Sequence, residues 1–187
     1  VYGGNTKIPF SVEDRVDKPI ALYGATKRAN ELIAYSYSHL YSLHTTGLRY
    51  FTVYGPWGRP DMAMFIFTKK ILAGESIPVF NNGNMKRDFT YIDDIISGTR
   101  SAIDSNYKNE IFNLGNNKSE NLMDMIALIE KELGKKVKID FQPMQPGDVK
   151  ESFAEIKQSQ EKLRFNPKTS IENGIPRFIE WYKNFYD

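Results

Sequence analysis

The residues with the clearest chemical potential are a tyrosine and a lysine at the start of a helical segment. Tyr23 and Lys27 stand four positions apart in the stretch YGATK, and a helix places such residues on one face. An ammonium group beside a phenol favours the phenolate, which is a usable general base for a substrate hydroxyl. The same spacing also fits a half-buried tyrosine beside a solvated lysine, so the rest of the chain has to decide between them.

Further side chains suited to ligand binding lie in three later segments. Thr52 stands near the end of a strand-like stretch, and Arg59 lies in the Gly/Pro-rich loop that follows, where open α/β sheets bind ligands. Arg59 can bind an anion through two parallel hydrogen bonds. Arg87 is a candidate phosphate ligand, and Asp148, which follows a Pro-Gly turn, can accept hydrogen bonds from ribose hydroxyls. A solvated arginine and an Asx-type turn are the ordinary alternatives.

The composition narrows the class of protein. The chain has 187 residues, of which 41% are hydrophobic and 26% charged, as in soluble globular proteins large enough to bury a core. A net charge of +2, with both signs interspersed, argues against a nucleic-acid surface. The absence of cysteine excludes disulfides and thiolate ligands, and the presence of only His39 and His44 argues against a multi-histidine centre, so we expect no metal.

The hydropathy and the first residue of the chain bear on its cellular compartment and on whether it is a fragment. No apolar run approaches the length of a membrane helix, and no signal peptide is visible. With the lack of cysteine, this fits a cytoplasmic protein. The chain starts at Val1 rather than at a methionine, so we expect a fragment or a processed product.

Hydrophobic periodicity predicts alternating helices and strands. Helices are predicted over residues 21–41, 64–73, 93–103, 122–133, 159–165 and 170–186. Strands are predicted over 48–53, 110–114 and 137–141, with a hairpin of two short strands around the Asn82-Gly83 pair. Asp93 is expected to cap its helix, and Pro176 to bend or interrupt the last helix. The alternation predicts an α/β fold.

Six segments, taken in order, carry a resemblance to a known family. The segments are VYGG, YGATK, LRYFTVYGPWGRPDMA, RDFTYIDDI, FNLGN and QPGDV. This series resembles the nucleotide-sugar epimerase branch of the extended short-chain dehydrogenase/reductase family, over nearly the whole chain. Thr52 together with GPWGRPDMA is most similar to the UDP-glucuronate 4-epimerases, since galactose 4-epimerases usually carry asparagine in place of Thr52.

The resemblance implies a fold and a division of the chain. Residues 1–55 would be the C-terminal remnant of an NAD-binding Rossmann domain. Residues 56–187 would be mainly a small α/β lobe that binds the nucleotide-sugar, with some segments returning to the Rossmann sheet. The family's Gly-x-x-Gly-x-x-Gly dinucleotide loop does not occur in these 187 residues, so we expect this chain to be an incomplete, inactive part of an enzyme.

The resemblance also implies roles around the cofactor NAD. Tyr23 would take the proton from the sugar 4-hydroxyl, while NAD accepts the hydride from C4. Lys27 would hold the nicotinamide ribose and activate Tyr23. Tyr50 and Val53 would complete the cofactor contacts. Return of the hydride to the other face of a 4-keto sugar would invert C4.

For the substrate, a UDP-sugar, the resemblance implies a second set of contacts. Arg87 would bind the diphosphate, Asp148 the uridine ribose, and the segment Val79-Phe80 would pack against uracil. Thr52 and Arg59 would lie near the sugar carboxylate. The expected reaction is conversion of UDP-glucuronate to UDP-galacturonate in polysaccharide biosynthesis, by a homodimer formed through the helix at residues 25–41.

Two other classes of function remain open at this point. One is another short-chain nucleotide-sugar enzyme, namely a UDP-glucose or UDP-N-acetylglucosamine 4-epimerase, a dehydratase or a decarboxylase. The other is a non-catalytic module that binds a nucleotide-sugar.

Overall fold

A computed structural model describes residues 1–186 as alternating helices and strands. The helices are α1 (Leu22–Tyr41), α2 (Ala63–Ala73), α3 (Ile92–Ser105), α4 (Leu122–Leu133), α5 (Lys157–Leu163) and α6 (Ile171–Tyr186). The strands are β1 (Thr45–Tyr50), β2 (Thr52–Tyr54), β3 (Ile77–Phe80), β4 (Lys86–Arg87), β5 (Phe89–Tyr91), β6 (Asn109–Leu114), β7 (Glu120–Asn121), β8 (Ile139–Gln142) and β9 (Glu151–Ser152). Within the described residues, no helix is both long and apolar enough to cross a bilayer.

The strands pair mostly in parallel, which confirms the predicted α/β class. β1 pairs with β6 in the register Thr45 to Asn109, β2 pairs with β5, and β3 pairs with β8, all in parallel. β4 lies between β7, to which it is antiparallel, and β9, to which it is parallel. The parallel partners are far apart in sequence, so each pair is joined by a crossover that contains helices.

The single strand predicted over residues 48–53 is wrong, because the chain changes sheet at Phe51. The backbone N–H of Phe51 donates to the carbonyl of Leu114 at 3.1 Å, on the β6 side. The next N–H, of Thr52, donates to the carbonyl of Asp88 at 3.0 Å, just before β5. Two consecutive residues thus bond to different strands, and Thr52 begins β2 at this junction.

The predicted hairpin around Asn82-Gly83 is also wrong. The residues do form a tight turn, in which Asn82 has φ 51° and Gly83 has φ 79°. The strands on either side do not pair with each other, because β3 pairs with β8 while β4 pairs with β7 and β9. Ile77 and Val79 of β3 are fully buried in the core, so burial on β8 and the helices sets the pairing of β3 rather than the turn.

The six predicted helices are present, with ends that differ by a few residues. Gly74 and Gly134 end α2 and α4 in the left-handed conformation, with φ 72° and 63°. α6 runs through Pro176 without interruption. These ends follow from local signals, which the sequence displays directly.

The start of α3 differs from the prediction that Asp93 caps it. The capping position is Tyr91, which makes no side-chain hydrogen bond to the helix. The next acid along, Asp94, instead accepts hydrogen bonds from the backbone N–H groups of Lys168 and Thr169, at 3.2 and 2.9 Å. The carboxylate therefore ties the start of α3 to the segment before α6.

Two hydrophobic clusters hold the elements together. One lies among α2, α4, α6, β3 and β5, and the other among β6, α3 and α5, with residues of β1 and β2 packed against it. Phe112 and Leu114 of β6 are fully buried in the second cluster. Segments from both sides of residue 55 therefore share a sheet and a core, and the division of the chain at that residue stays a prediction.

Candidate active site

Tyr23 and Lys27 lie together in the first turns of α1. The Lys27 Nζ lies 5.3 Å from the centroid of the Tyr23 ring. Both residues are exposed, and 69% of the Tyr23 surface is open to solvent. The structure therefore brings the two predicted catalytic groups together at the open N-terminal end of the helix, with their polar atoms available to a ligand.

A buried ion pair fixes α1 against β1. Arg49 of β1 donates two hydrogen bonds to Glu31 of α1, from Nε to Oε1 at 2.7 Å and from Nη2 to Oε2 at 3.0 Å. Arg28 donates to the same carboxylate at 2.8 Å. Burial raises the pKa of Glu31, but these hydrogen bonds outweigh it and leave the pKa below its usual value. Because Glu31 lies two turns after Tyr23, the pair holds the N-terminal part of the helix in place.

Thr52 and Arg59 line one cavity. It lies between the end of β2, the loop at residues 55–61 and the start of α2, and its apolar floor includes Phe65, Phe89 and Phe178. The guanidinium of Arg59 is exposed and donates from Nε to Asp61 at 3.0 Å. The hydrogen bond to Asp61 raises the pKa of Arg59. Arg59 and Thr52 therefore border the same space.

Arg87 and Asp148 form an ion pair of their own. Arg87 Nη2 donates to Asp148 Oδ1 at 2.7 Å, and Arg87 Nη1 donates to the carbonyls of Lys86 and Lys150 at 2.9 and 3.3 Å. Gly147, with φ 81°, lies in the turn that places Asp148 beside Arg87. Burial lowers the pKa of Arg87, against the opposing effect of Asp148. The predicted phosphate and ribose ligands are thus brought side by side.

The sequence analysis missed the role of Asp88, the neighbour of Arg87. Asp88 is fully buried, and burial raises the pKa of its carboxyl group. The carboxylate accepts four hydrogen bonds, three from backbone N–H groups and one from a hydroxyl; the donors are Asn116 N, Asn117 N, Ala154 N and Thr90 Oγ1, at 2.6 to 3.1 Å. An acid directly before the buried strand FTY is the sequence signal from which this role could have been predicted. Asp88 joins the segments around Arg87 and so fixes the position of that side chain.

The remaining predicted ligand residues are Tyr50, Val53, Val79 and Phe80, and they differ in their surroundings. The hydroxyl of Tyr50 is 3.1 Å from that of Thr99 on α3, and 48% of Tyr50 is exposed. Val53 lines the same cavity as Thr52. Val79 is fully buried among core residues, so its side chain is closed to a ligand, which corrects that part of the prediction, whereas Phe80 is half-buried.

Comparisons with known proteins identify relatives that match nearly the whole chain. An uncharacterised protein of Methanocaldococcus jannaschii is 57% identical over 97% of this chain and 56% of its own length. UDP-glucuronate 4-epimerase 4 of Arabidopsis thaliana is 45% identical over 100% of this chain and 46% of its own length. The chain therefore spans about half the length of these curated relatives.

A solved structure supports the fold match. The UDP-glucuronic acid 4-epimerase of Bacillus cereus, in complex with UDP-glucuronic acid and NAD, superposes with a TM-score of 0.92 at 34% identity. The match covers 100% of this chain and 59% of that enzyme. The predicted Rossmann-type relationship is thereby confirmed. The profile of the NAD dependent epimerase/dehydratase family matches residues 1–115, and the chain belongs to this family.

Proposed function

We propose that this chain is the C-terminal part of an NAD-dependent enzyme that epimerises UDP-glucuronate at C4 to UDP-galacturonate, through a 4-keto intermediate. The observations that carry the proposal are the pairing of Tyr23 with Lys27 at the exposed start of α1 and the cavity that Thr52 and Arg59 share. The first pair supplies a candidate base, and the second supplies candidate ligands for the sugar carboxylate. The similarity to UDP-glucuronate 4-epimerases supports the same assignment.

The chain fits the nicotinamide end of NAD. Tyr23 and Lys27 are exposed side by side, so the Lys27 ammonium can bind ribose hydroxyls and also stabilise negative charge on the phenol oxygen. Tyr50 and Val53 are the further proposed contacts. The glycine loop that binds the pyrophosphate is absent from these residues. When bound, NAD supplies the acceptor and donor of the C4 hydride. Tyr23 takes the proton from the 4-hydroxyl and returns it to the inverted product.

The UDP-sugar would contact two groups of residues. The nucleotide would bind at the ion pair of Arg87 and Asp148, and the sugar at the cavity of Thr52 and Arg59. Arg87 binds the diphosphate, Asp148 binds the uridine ribose, and Phe80 packs against uracil. Arg59 neutralises the sugar carboxylate, while the Thr52 hydroxyl sets its orientation. Orientation matters because a 4-keto uronate is a β-keto acid, which loses CO₂ when the breaking bond aligns with the carbonyl π system. A carboxylate held near the carbonyl plane resists that loss.

The test of the proposal is turnover by the full-length protein. UDP-glucuronate, UDP-glucose and UDP-N-acetylglucosamine are each incubated with the enzyme, and C4 is followed by NMR. Interconversion of UDP-glucuronate and UDP-galacturonate without CO₂ release is expected. Conversion of a neutral UDP-sugar alone, or formation of a dehydrated product or a pentose, would contradict the proposal. Each of these results would instead indicate one of the other short-chain activities. Binding of UDP-sugars without any conversion would indicate a non-catalytic module.

Three further properties belong to the same proposal. The 187-residue chain alone is expected to be inactive, since it lacks the glycine loop; epimerisation by this chain would refute that. The enzyme would act in the cytoplasm, in polysaccharide biosynthesis. It would form a homodimer through α1, on which Leu32, Ile33, Tyr37, Leu40 and Tyr41 are exposed by 52 to 67%. A single-chain mass of the full-length protein in sedimentation equilibrium would contradict the dimer.

A further inference from the structure

One aromatic side chain of the loop that carries Arg59, that of Trp57, contacts a helix outside the loop. Its two closing backbone hydrogen bonds, Gly58 N to Gly55 O at 3.2 Å and Met62 N to Arg59 O at 3.1 Å, both stay within the segment. Among the described residues, the hydrogen bonds of the Arg59 guanidinium go to Asp61, in the same loop. These bonds shape the loop but do not connect it to the rest of the molecule.

Trp57 makes that connection in an unusual backbone conformation. Its φ is +62°, and 74% of the residue is exposed. A left-handed conformation costs a residue with a side chain about 1 kcal/mol, and little of the Trp57 surface is buried in return. The indole does contact α6, at 4.9 Å from the Phe185 ring in an edge-on arrangement and 5.4 Å from the Trp181 ring. Such ring pairs are attractive beyond the area that they bury.

The rings on α6 form a supported platform for Trp57. Trp181 and Phe185 are stacked, with centroids 5.6 Å apart and planes inclined by 19°. Trp181 also lies 5.7 Å from Phe178, which is buried in the core. The contact of Trp57 thus reaches the hydrophobic core through α6. Neither Trp57 nor Phe185 is among the described residues that line the cavity of Thr52 and Arg59.

We propose that Trp57, Trp181 and Phe185 form an aromatic clamp that positions Arg59 for the substrate's carboxylate. Trp57 is two residues before Arg59, so the contact with α6 sets the direction in which the loop presents the guanidinium. The end of α6 thereby takes part in choosing a uronate over a neutral sugar, without touching the substrate. This inference rests on the proposed function only for the identity of the anion.

The experiment weakens the clamp from each side in the full-length enzyme. Phe185→Ala removes the platform ring, and Trp57→Asn removes the indole while keeping a residue that tolerates positive φ. Phe185→Tyr retains a ring and is the rescue variant. Ile103→Ala, at an exposed position of α3, is the control for loss of an exposed apolar side chain. Titration calorimetry measures the Kd of UDP-glucuronate and of UDP, and steady-state assays measure KM and kcat.

The expected result is a loss confined to the carboxylate-bearing ligand. Phe185→Ala and Trp57→Asn each raise the KM and Kd of UDP-glucuronate about fivefold, from the strength of aromatic pairs. The Kd of UDP and the kcat stay within about twofold of the wild-type values. The double variant raises the KM and Kd of UDP-glucuronate little further, because both changes break the same contact. Phe185→Tyr and Ile103→Ala stay near wild type.

Three outcomes overturn the clamp. Unchanged affinity for UDP-glucuronate in both variants would show that the loop is positioned without Trp57. An equal loss of affinity for UDP and for UDP-glucuronate would show that the three aromatic residues have a general structural role. Unfolding of both variants would show the same. Failure of the proposed function can be distinguished from failure of the clamp. It would appear as an absence of turnover by the wild-type enzyme. The binding measurements would still test the clamp in that case.

Discussion

The guanidinium of Arg87 is held by the carboxylate of Asp148, a residue 61 positions further along the chain, at 2.7 Å. The Arg87 side chain is 17% exposed and that of Asp148 36%. The same guanidinium donates to two backbone carbonyls. An arginine with this many fixed partners is oriented before a ligand arrives, which reduces the entropy lost on binding an anion.

Replacement of Arg87 by lysine tests whether the planar fork matters rather than the charge. Lysine retains the charge but not the several donors in one plane. We expect Arg87→Lys in the full-length enzyme to raise the KM for UDP-glucuronate about tenfold, close to 1.4 kcal/mol, with kcat within about twofold. Arg100→Lys, at an exposed ion pair with Asp104 on α3, is the control. An unchanged KM would contradict the proposed contact between Arg87 and the diphosphate.

Removal of the Tyr23 hydroxyl tests the proposed base. Tyr23→Phe is expected to lower kcat about a thousandfold, the scale of general acid–base catalysis. Its melting temperature should not change, because the residue is 69% exposed and its ring remains. Tyr35→Phe, a similarly exposed tyrosine of α1, serves as the matched control. Substantial turnover by Tyr23→Phe would exclude the phenol as the base.

Replacement of Thr52 by valine tests the control of decarboxylation. Valine keeps the volume and branching of the side chain in β2 but removes the hydroxyl that we propose orients the carboxylate. The full-length variant should release more CO₂ and more 4-keto pentose per turnover than wild type, measured by NMR and by trapped CO₂. Thr46→Val, in β1, makes the same change away from the cavity. Equal CO₂ release by Thr52→Val and wild type would contradict the proposed role.

The pair of Glu31 and Arg49 predicts a pH-dependent stability. Because the folded-state pKa of Glu31 is lowered from 4.5, its contribution is fully present above that value and is lost as the pH falls through the folded pKa. Glu31→Gln leaves Arg49 buried without its charge partner, so we expect a loss of about 3 kcal/mol in the free energy of unfolding at neutral pH.

Urea denaturation of this chain across the acidic range checks the prediction. The difference between wild type and Glu31→Gln should shrink as the pH falls below the ordinary glutamate value. Glu161→Gln, at an exposed pair with Lys157, should differ little from wild type at any pH. A difference that stays constant with pH would show that the ionisation of Glu31 does not contribute.

Much of the secondary structure could be predicted because it depends on neighbours in the sequence. The apolar spacing and the closing glycines Gly74 and Gly134 place α2 and α4 within a residue of their observed limits. Helical geometry alone brings Lys27 next to Tyr23. The shared motifs add the family and the order of the site residues along the chain.

Only the tertiary structure decided which distant segments meet. Local signals predicted a hairpin after β3 and one strand through Phe51, but pairing with β8, β6 and β5 prevailed, because it buries apolar faces that a local turn leaves exposed. The ion pair of Arg87 with Asp148 and the contact of Trp57 with Phe185 join positions far apart in the chain. Sequence spacing determines which side chains share a helix face, whereas contacts between elements depend on how the whole core packs.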